Sequence, residues 1–264
     1  MCINLQPAMS ATLHLAPPPA PPLGCYESIT TLAVTATHVI YAGFDRSAGR
    51  EVIIKYAHAA GATALGLSSE AAMLRFLARH QIAAPRYRGL AEHGGRSALV
   101  MSRIPGHTLE ALHGAQAVGP GLIVWLAARL CATLAALHRL GYVHHDIKPA
   151  NIVVRPDYTP VLIDWGTAEA IRPPGDRRPN SGFTPGFVSP NQASGTARPS
   201  NDLFAVGMLL DALIDWPGPQ LATIIARATG QHHQPFRDAE ALARALARLR
   251  MIDRLAKAIG LKAI

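Results

Sequence analysis

The chain has 264 residues, 49% of them apolar and 16% charged, with a formal charge of +8. That is enough for one large domain or two small lobes with real cores, and it excludes a mostly disordered chain. No apolar run reaches the roughly 18 residues of a membrane span, no signal peptide is expected, and three scattered cysteines, Cys2, Cys25 and Cys131, predict a reduced, cytoplasmic setting without a disulfide framework.

Residues 1–25 contain "LAPPPAPPLG", a polyproline-like stretch expected as an extended arm. From Tyr26, "ITTLAVTATHVIYAGFD" and "REVIIKYA" are rich in β-branched residues and separated by the turn-like "RSAG". They predict three antiparallel strands. "SSEAAMLRFLARH" places apolar residues at helical spacing behind serines suited to capping. "RYRGLAEHGGRSALVMSRIPG" predicts two more strands around Gly94-Gly95. Helical character begins near Gly121 with "LIVWLAARLCATLAALHRLG", which stops at Gly141. Two short apolar strands, "NIVV" and "VLIDW", flank a turn at Pro156-Asp157. A Gly/Pro-rich loop follows over about 171–200, and the remainder reads as helix. Five strands with one helix, then a mainly helical half, predict an α+β fold of two lobes, 26–103 and 104–264.

Only four of the 25 basic residues are lysines: Lys55, Lys148, Lys257 and Lys262. So strong an arginine bias reads as genomic, which makes the two internal lysines informative. A compact ammonium fits a tight phosphate site that a broad guanidinium does not. Nucleic-acid binding would need a basic stripe with stacking aromatics, and the sequence has none.

Lys55 ends the strand "VIIK", Glu70 lies on the next helix, and "HHDIKPAN" and "IDWG" follow. This ordered set resembles the protein-kinase family, in the serine/threonine form common in bacteria. The resemblance runs over roughly 26–250 and includes "TPGFVSPNQ" and "SNDLFAVGMLL". It implies a two-lobe kinase-like fold and transfer of the γ-phosphate of ATP, with Mg²⁺, to hydroxyls of a protein substrate. By resemblance Lys55 holds the α- and β-phosphates and is oriented by Glu70. Asp146 receives the substrate hydroxyl's hydrogen bond, and Lys148 sits by the γ-phosphate and favours Ser/Thr acceptors. Asn151 and Asp164 supply the hard oxygens that Mg²⁺ prefers. Met101, Ser102 and Arg103 align with the hinge that presents backbone to adenine, and Ile53 forms the roof above it.

Several positions depart from the family pattern. Where glycines of the phosphate loop are expected stand Ala33, Thr35 and His38, which removes backbone freedom near the phosphates. Ile53 replaces a smaller alanine. Asn191 replaces a glutamate, and Pro235 stands where its arginine partner is expected, with Arg237 as a shifted substitute. Trp165 fills the position of a phenylalanine. The catalytic loop has His145 in place of the arginine that, in other members, pairs with an activation-loop phosphate. Activity independent of such phosphorylation is therefore expected, with Ser181 the plausible site if it is not. His144 is expected to be structural rather than a base, because Asp146 already has the acceptor role, and Thr184 is expected to be architectural.

The C-terminal "EALARALARLRMIDRLAKAIGLKAI" leaves two readings, a helix packed on its own domain or a membrane-surface helix. Functionally, three readings stand beside one another: an ATP·Mg²⁺-dependent Ser/Thr protein kinase, a pseudokinase scaffold, and a kinase of small molecules.

Overall fold

The computed structural model describes residues 26–58, 62–93, 95–173, 175–177 and 184–258. The proline-rich stretch, Arg178, Ser181 and Lys262 lie outside them.

β1 (Tyr26–Val34), β2 (His38–Asp45) and β3 (Arg50–Ala57) form an antiparallel meander. After α1 (Ala62–Arg79), β4 (Tyr87–His93) and β5 (Arg96–Ser102) complete a five-stranded sheet of order β1-β2-β3-β5-β4. Strand alternation gives this sheet two buried faces. Val52, Ile54 and Tyr56 pack with Val39, Tyr41 and Val100 in a small outer core. Lys55 and Ala57 project from the opposite face, beneath which α1 lies. Leu67, Ala71, Leu74 and Leu77 of α1 are buried at helical spacing. The helix begins earlier than the serines suggest. Ser68 and Ser69 are exposed residues within it rather than its cap, because the preceding "ATALGL" continues the apolar spacing as far as Leu67.

The chain leaves the sheet through Gly106, at φ +126°, where an added Cβ would lie 2.1 Å from the Val154 carbonyl oxygen. Only glycine fits so close an approach. β6 (His107–Thr108) and α2 (Leu109–Gly114) follow, with the Thr108 hydroxyl capping Ala111 N–H. Both are too short to show periodicity in the sequence. α3 (Pro120–Arg139), β7 (Tyr142–Val143), β8 (Ile152–Val154), β9 (Pro160–Leu162) and β10 (Glu169–Ala170) lead to α4 (Pro190–Ala193). α5 (Pro199–Leu213), α6 (Pro219–Ala228) and α7 (Ala239–Ala258) complete the helical half. α3 to α6 each begin with proline, whose fixed φ and missing N–H suit a first turn.

α3 is apolar and long enough to cross a membrane by composition. Here Ile123, Leu126, Leu130, Leu134 and Leu137 are buried, and α5 and α7 lie against it. In α7, Leu242 and Leu246 are fully buried and Glu240 pairs with Arg139 of α3. The described part of this helix is thus packed on its own domain.

Candidate active site

β3 and α1 bring Lys55 and Glu70 together. Lys55 Nζ donates to Glu70 Oε2 at 2.9 Å and to Asp164 Oδ1 at 2.6 Å. Trp165 N–H donates to the other Glu70 oxygen at 3.1 Å. Burial alone would push the Lys55 ammonium down, but the two carboxylates outweigh it and hold its pKa above the ordinary lysine value. Burial likewise would raise Asp164, and Lys55 holds it below the ordinary carboxylate range. In Glu70 burial prevails over the pull of Lys55 and raises the carboxyl. With a donor on each of its oxygens, the geometry is that of an ion pair. Gly166 lies against all three groups, within 3.8 Å of each for an added Cβ. Asp164 occupies the left-handed region at φ 60°, strain of the kind that gathers at functional turns.

The loop after β7 places the second group. Asn151 Nδ2 donates to the Asp146 carbonyl at 2.9 Å and to Asp146 Oδ2 at 2.7 Å. Lys148 Nζ lies 2.9 Å from Asp146 Oδ2. Thr184 closes a triangle: its hydroxyl donates to Asp146 Oδ1 at 2.8 Å and accepts from Lys148 Nζ at 2.7 Å. An aliphatic hydroxyl thus already sits between the carboxylate and the ammonium. His144 is fully buried, its ring edge-on to Trp165 with centroids 4.5 Å apart. Its Nδ1 accepts Asp146 N–H at 3.3 Å, and burial lowers its pKa. So enclosed, it orders the loop and has no route to a substrate.

His145 carries the loop through φ 69° and is fastened through its backbone. Its carbonyl accepts from Gln192 Nε2 at 2.7 Å, and its N–H donates to Asp202 Oδ1 at 2.9 Å. Asp202 Oδ2 accepts from His144 N–H at 3.0 Å and contacts His138 Nε2 at 2.8 Å. Burial would raise the Asp202 carboxyl. The His138 hydrogen bond and charge, with His145 and the His144 N–H, hold it down to about 2. Asp202 and Gln192 lie in the quoted motifs "SNDLFAVGMLL" and "TPGFVSPNQ", but their role was not assigned from the sequence, since it depends on contacts across about 50 residues.

The expected roof and hinge residues lie on β3, on β5 and just after it. Ile53 shares the Lys55 face of β3 and pairs with Met101 of β5; Met101 is buried in the main core. The Ser102 and Arg103 side chains do not enter the cleft. Ser102 Oγ accepts from Arg86 N–H at 2.8 Å, and Arg103 Nη1 donates to Glu51 at 3.0 Å. Their backbone N–H groups donate to the Arg86 and Glu51 carbonyls at 2.8 and 3.4 Å, which leaves their carbonyls for a nucleotide. Arg237 is no substitute partner for Asn191: it is exposed and bonded to its neighbour Asp238 at 2.7 Å, while Asn191 is itself exposed. With no buried charge at either end, the loss of both partners leaves nothing uncompensated.

The donor set suits a phosphate-bound divalent cation. Asn151 spends its amide nitrogen on Asp146, leaving its oxygen, and Asp164 adds a carboxylate held ionised by Lys55. Two protein oxygens fit Mg²⁺, which keeps waters and phosphate oxygens as its other ligands. Among the described residues no group of three His, Cys, Asp or Glu side chains could form an all-protein cage.

The chain is similar to several bacterial serine/threonine-protein kinases. It is 35% identical over 135 residues to serine/threonine-protein kinase PkaA of Streptomyces coelicolor, covering 49% of this chain and 25% of that one. Against serine/threonine-protein kinase PknL of Mycobacterium tuberculosis it is 30% identical over 195 residues, 69% of this chain and 47% of that one. Against serine/threonine-protein kinase pkn2 of Myxococcus xanthus it is 28% identical over 233 residues, 82% of this chain and 28% of that one. The chain thus spans from a quarter to about half the length of these relatives. A family model, the protein kinase domain, matches residues 27–223, across both the sheet and the helical half that builds the Asp146 loop, and the chain belongs to that family.

Proposed function

We propose that this chain is a Ser/Thr protein kinase that moves the γ-phosphate of Mg²⁺-bound ATP to a protein hydroxyl. The observation that supports it most is the Thr184 hydroxyl seated between Asp146 and Lys148, because the pocket accepts an aliphatic alcohol there. When bound, Mg²⁺ supplies charge neutralisation along the phosphates. In this reading Lys55, kept cationic and aimed by Glu70, grips the phosphates, while Asn151 and Asp164 hold the cation. Asp146 receives the hydrogen bond of the substrate hydroxyl and takes its proton as the new O–P bond forms and the bond to ADP breaks. Lys148 steadies the charge on the transferred group. Positioning and charge therefore carry the chemistry, as phosphoryl transfer requires.

The substrate is a protein and the setting cytoplasmic in this reading. The "TPGFVSPNQ" platform supports the first. The odd number and scattered spacing of Cys2, Cys25 and Cys131 support the second. The test is incubation of the purified chain with γ-labelled ATP and a mixture of acceptor proteins, with and without Mg²⁺. Label on Ser and Thr that requires Mg²⁺ and disappears in Asp146→Asn supports the proposal. Nucleotide binding without transfer to any acceptor would overturn it.

A further inference from the structure

His38 opens β2 where the third glycine of a phosphate loop is expected. It pairs with Ala57, and the next residue on its face, Ile40, pairs with Lys55. Opposed residues of an antiparallel pair project from one face, and diagonal neighbours lie within reach of ring and long side chains. The His38 imidazole and the Lys55 ammonium therefore share the cleft face of the sheet.

The turn that carries His38 is held by side chains rather than by glycine freedom. Thr35 Oγ1 accepts His38 N–H and donates to the His38 carbonyl, each at 3.0 Å. The His58 ring contacts the Thr35 carbonyl at 2.9 Å. His38 Nδ1 lies 2.8 Å from the Thr37 hydroxyl. Its other nitrogen, Nε2, is buried and has no hydrogen-bond partner among the described residues. A buried ring nitrogen without a partner costs stability, and such atoms in native folds call for an explanation. The surroundings are those of the phosphate cleft: burial and the nearby Lys55 charge lower the His38 pKa to about 4, while Asp164 acts in the opposite sense. The free protein thus holds a neutral ring. In the tautomer in which Thr37 donates to Nδ1, the ring's own proton is on Nε2.

We infer that His38 Nε2–H donates to the phosphate chain of the bound nucleotide, one side-chain donor doing the work of the absent glycine loop. This rests on reading the Lys55–Asp164 cleft as the Mg²⁺·ATP site. His38 is then a binding residue of the roof, and Thr35 and Thr37 position it.

The test compares Mg²⁺·ATP and adenosine binding by calorimetry for the parent, His38→Ala and His38→Gln, with thermal midpoints as a folding control. Gln places an amide donor near the Nε2 position. Loss of about tenfold in ATP affinity in His38→Ala, retention within about threefold in His38→Gln, and unchanged adenosine binding are expected, as for one hydrogen bond to a charged group. Histidine-labelled parent protein gives an independent reading by ¹⁵N NMR, in which Mg²⁺·ATP but not adenosine moves the His38 Nε2 signal. Equal ATP affinity in all three proteins, or an Nε2 signal indifferent to ATP, would overturn the role of His38 and leave the cleft assignment intact. A parent that binds no Mg²⁺·ATP would overturn both.

Discussion

The Asn201 amide nitrogen lies 3.0 Å from His145 Nε2, on the residue that stands where an arginine would await a phosphate. The amide's orientation follows from its other bonds: Nδ2 also donates to the Thr196 carbonyl at 2.8 Å, and Oδ1 accepts from Ser189 at 3.0 Å. His145 Nε2 is thereby assigned as the acceptor, and its proton sits on Nδ1, 3.1 Å from Glu169. Arg172 in turn ties Glu169 to the Gly195 carbonyl at 3.1 and 2.8 Å. The loop is fastened by groups the chain carries itself.

Activation-segment phosphorylation should accordingly be dispensable. Phosphatase-treated protein and Ser181→Ala should each keep their transfer rate to within tenfold, which corresponds to about 1.4 kcal/mol of barrier. Asn201→Ala should lower kcat more than it changes KM, and should cost about 1–3 kcal/mol of stability by denaturant titration. A phosphatase-sensitive rate would show that the internal fastening is not sufficient.

Lys55 is held between two carboxylates at 2.9 and 2.6 Å in a space shaped for an ammonium. Lys55→Arg keeps the charge but not the shape, so it should reduce kcat/KM about a hundredfold or more, close to Lys55→Met. Lys257→Arg, far along the chain, should be silent. Steady-state rates of the three variants beside the parent decide this. Substantial activity in Lys55→Arg would remove the phosphate contact from Lys55.

The cation site and the hydroxyl site should separate by mutation. With a Kd on the order of 100 μM, about 1 mM Mg²⁺·ATP adds about 1.4 kcal/mol of stability. In a domain of this size that raises Tm by about 2–4 °C. Asp164→Asn should erase the Mg²⁺-dependent part of the shift. Asp146→Asn should retain the shift and lose transfer. Identical shifts with Mg²⁺ and with EDTA would contradict the cation assignment.

Asp202 links stability to pH. Its folded pKa, about 2, is depressed below the ordinary carboxylate value of 3.8, so its contribution is complete above that value. It is lost as pH falls through the folded one. Acid unfolding should therefore have a component between about pH 4 and pH 2 that Asp202→Asn abolishes. The same substitution should cost about 3 kcal/mol at neutral pH, since it leaves a buried cluster of donors mismatched. Urea titrations across pH measure both, and an acid limb unchanged in the variant would rule the linkage out.

What the sequence made legible is the part that single residues carry in a fixed order. Lys55, Glu70, Asp146, Asn151 and Asp164 stood out by residue type and order along the chain, and the fold draws Lys55, Glu70 and Asp164 into one cluster and Asp146 and Asn151 into another. The five strands were readable because runs rich in β-branched residues are bounded there by turn-like segments. The true start of α1 was hidden behind two serines that look like caps. Ser102 and Arg103 align with a hinge that offers backbone to adenine, but that their N–H groups are spent on the Arg86 and Glu51 carbonyls is set by contacts no local spacing shows. His38 looked like a lost glycine, because a residue's value as a donor depends on which way its strand face points and what shares that face. Asn201, Gln192 and Asp202 escaped for a related reason: each acts through a partner far away in sequence.

The fastening of His145 also bears on how this domain tolerates recombination. The stretch from Ser189 to Asp202 begins inside "TPGFVSPNQ" and is bonded to the backbone and ring of the catalytic loop. The two therefore form one inheritable unit rather than two modules. A chimera whose imported segment lacks Gln192 and Asn201 would leave His145 without its amide partners. Exchanging residues 142–202 as one block would carry the whole mesh across, and is the cut along which specificity could be transplanted.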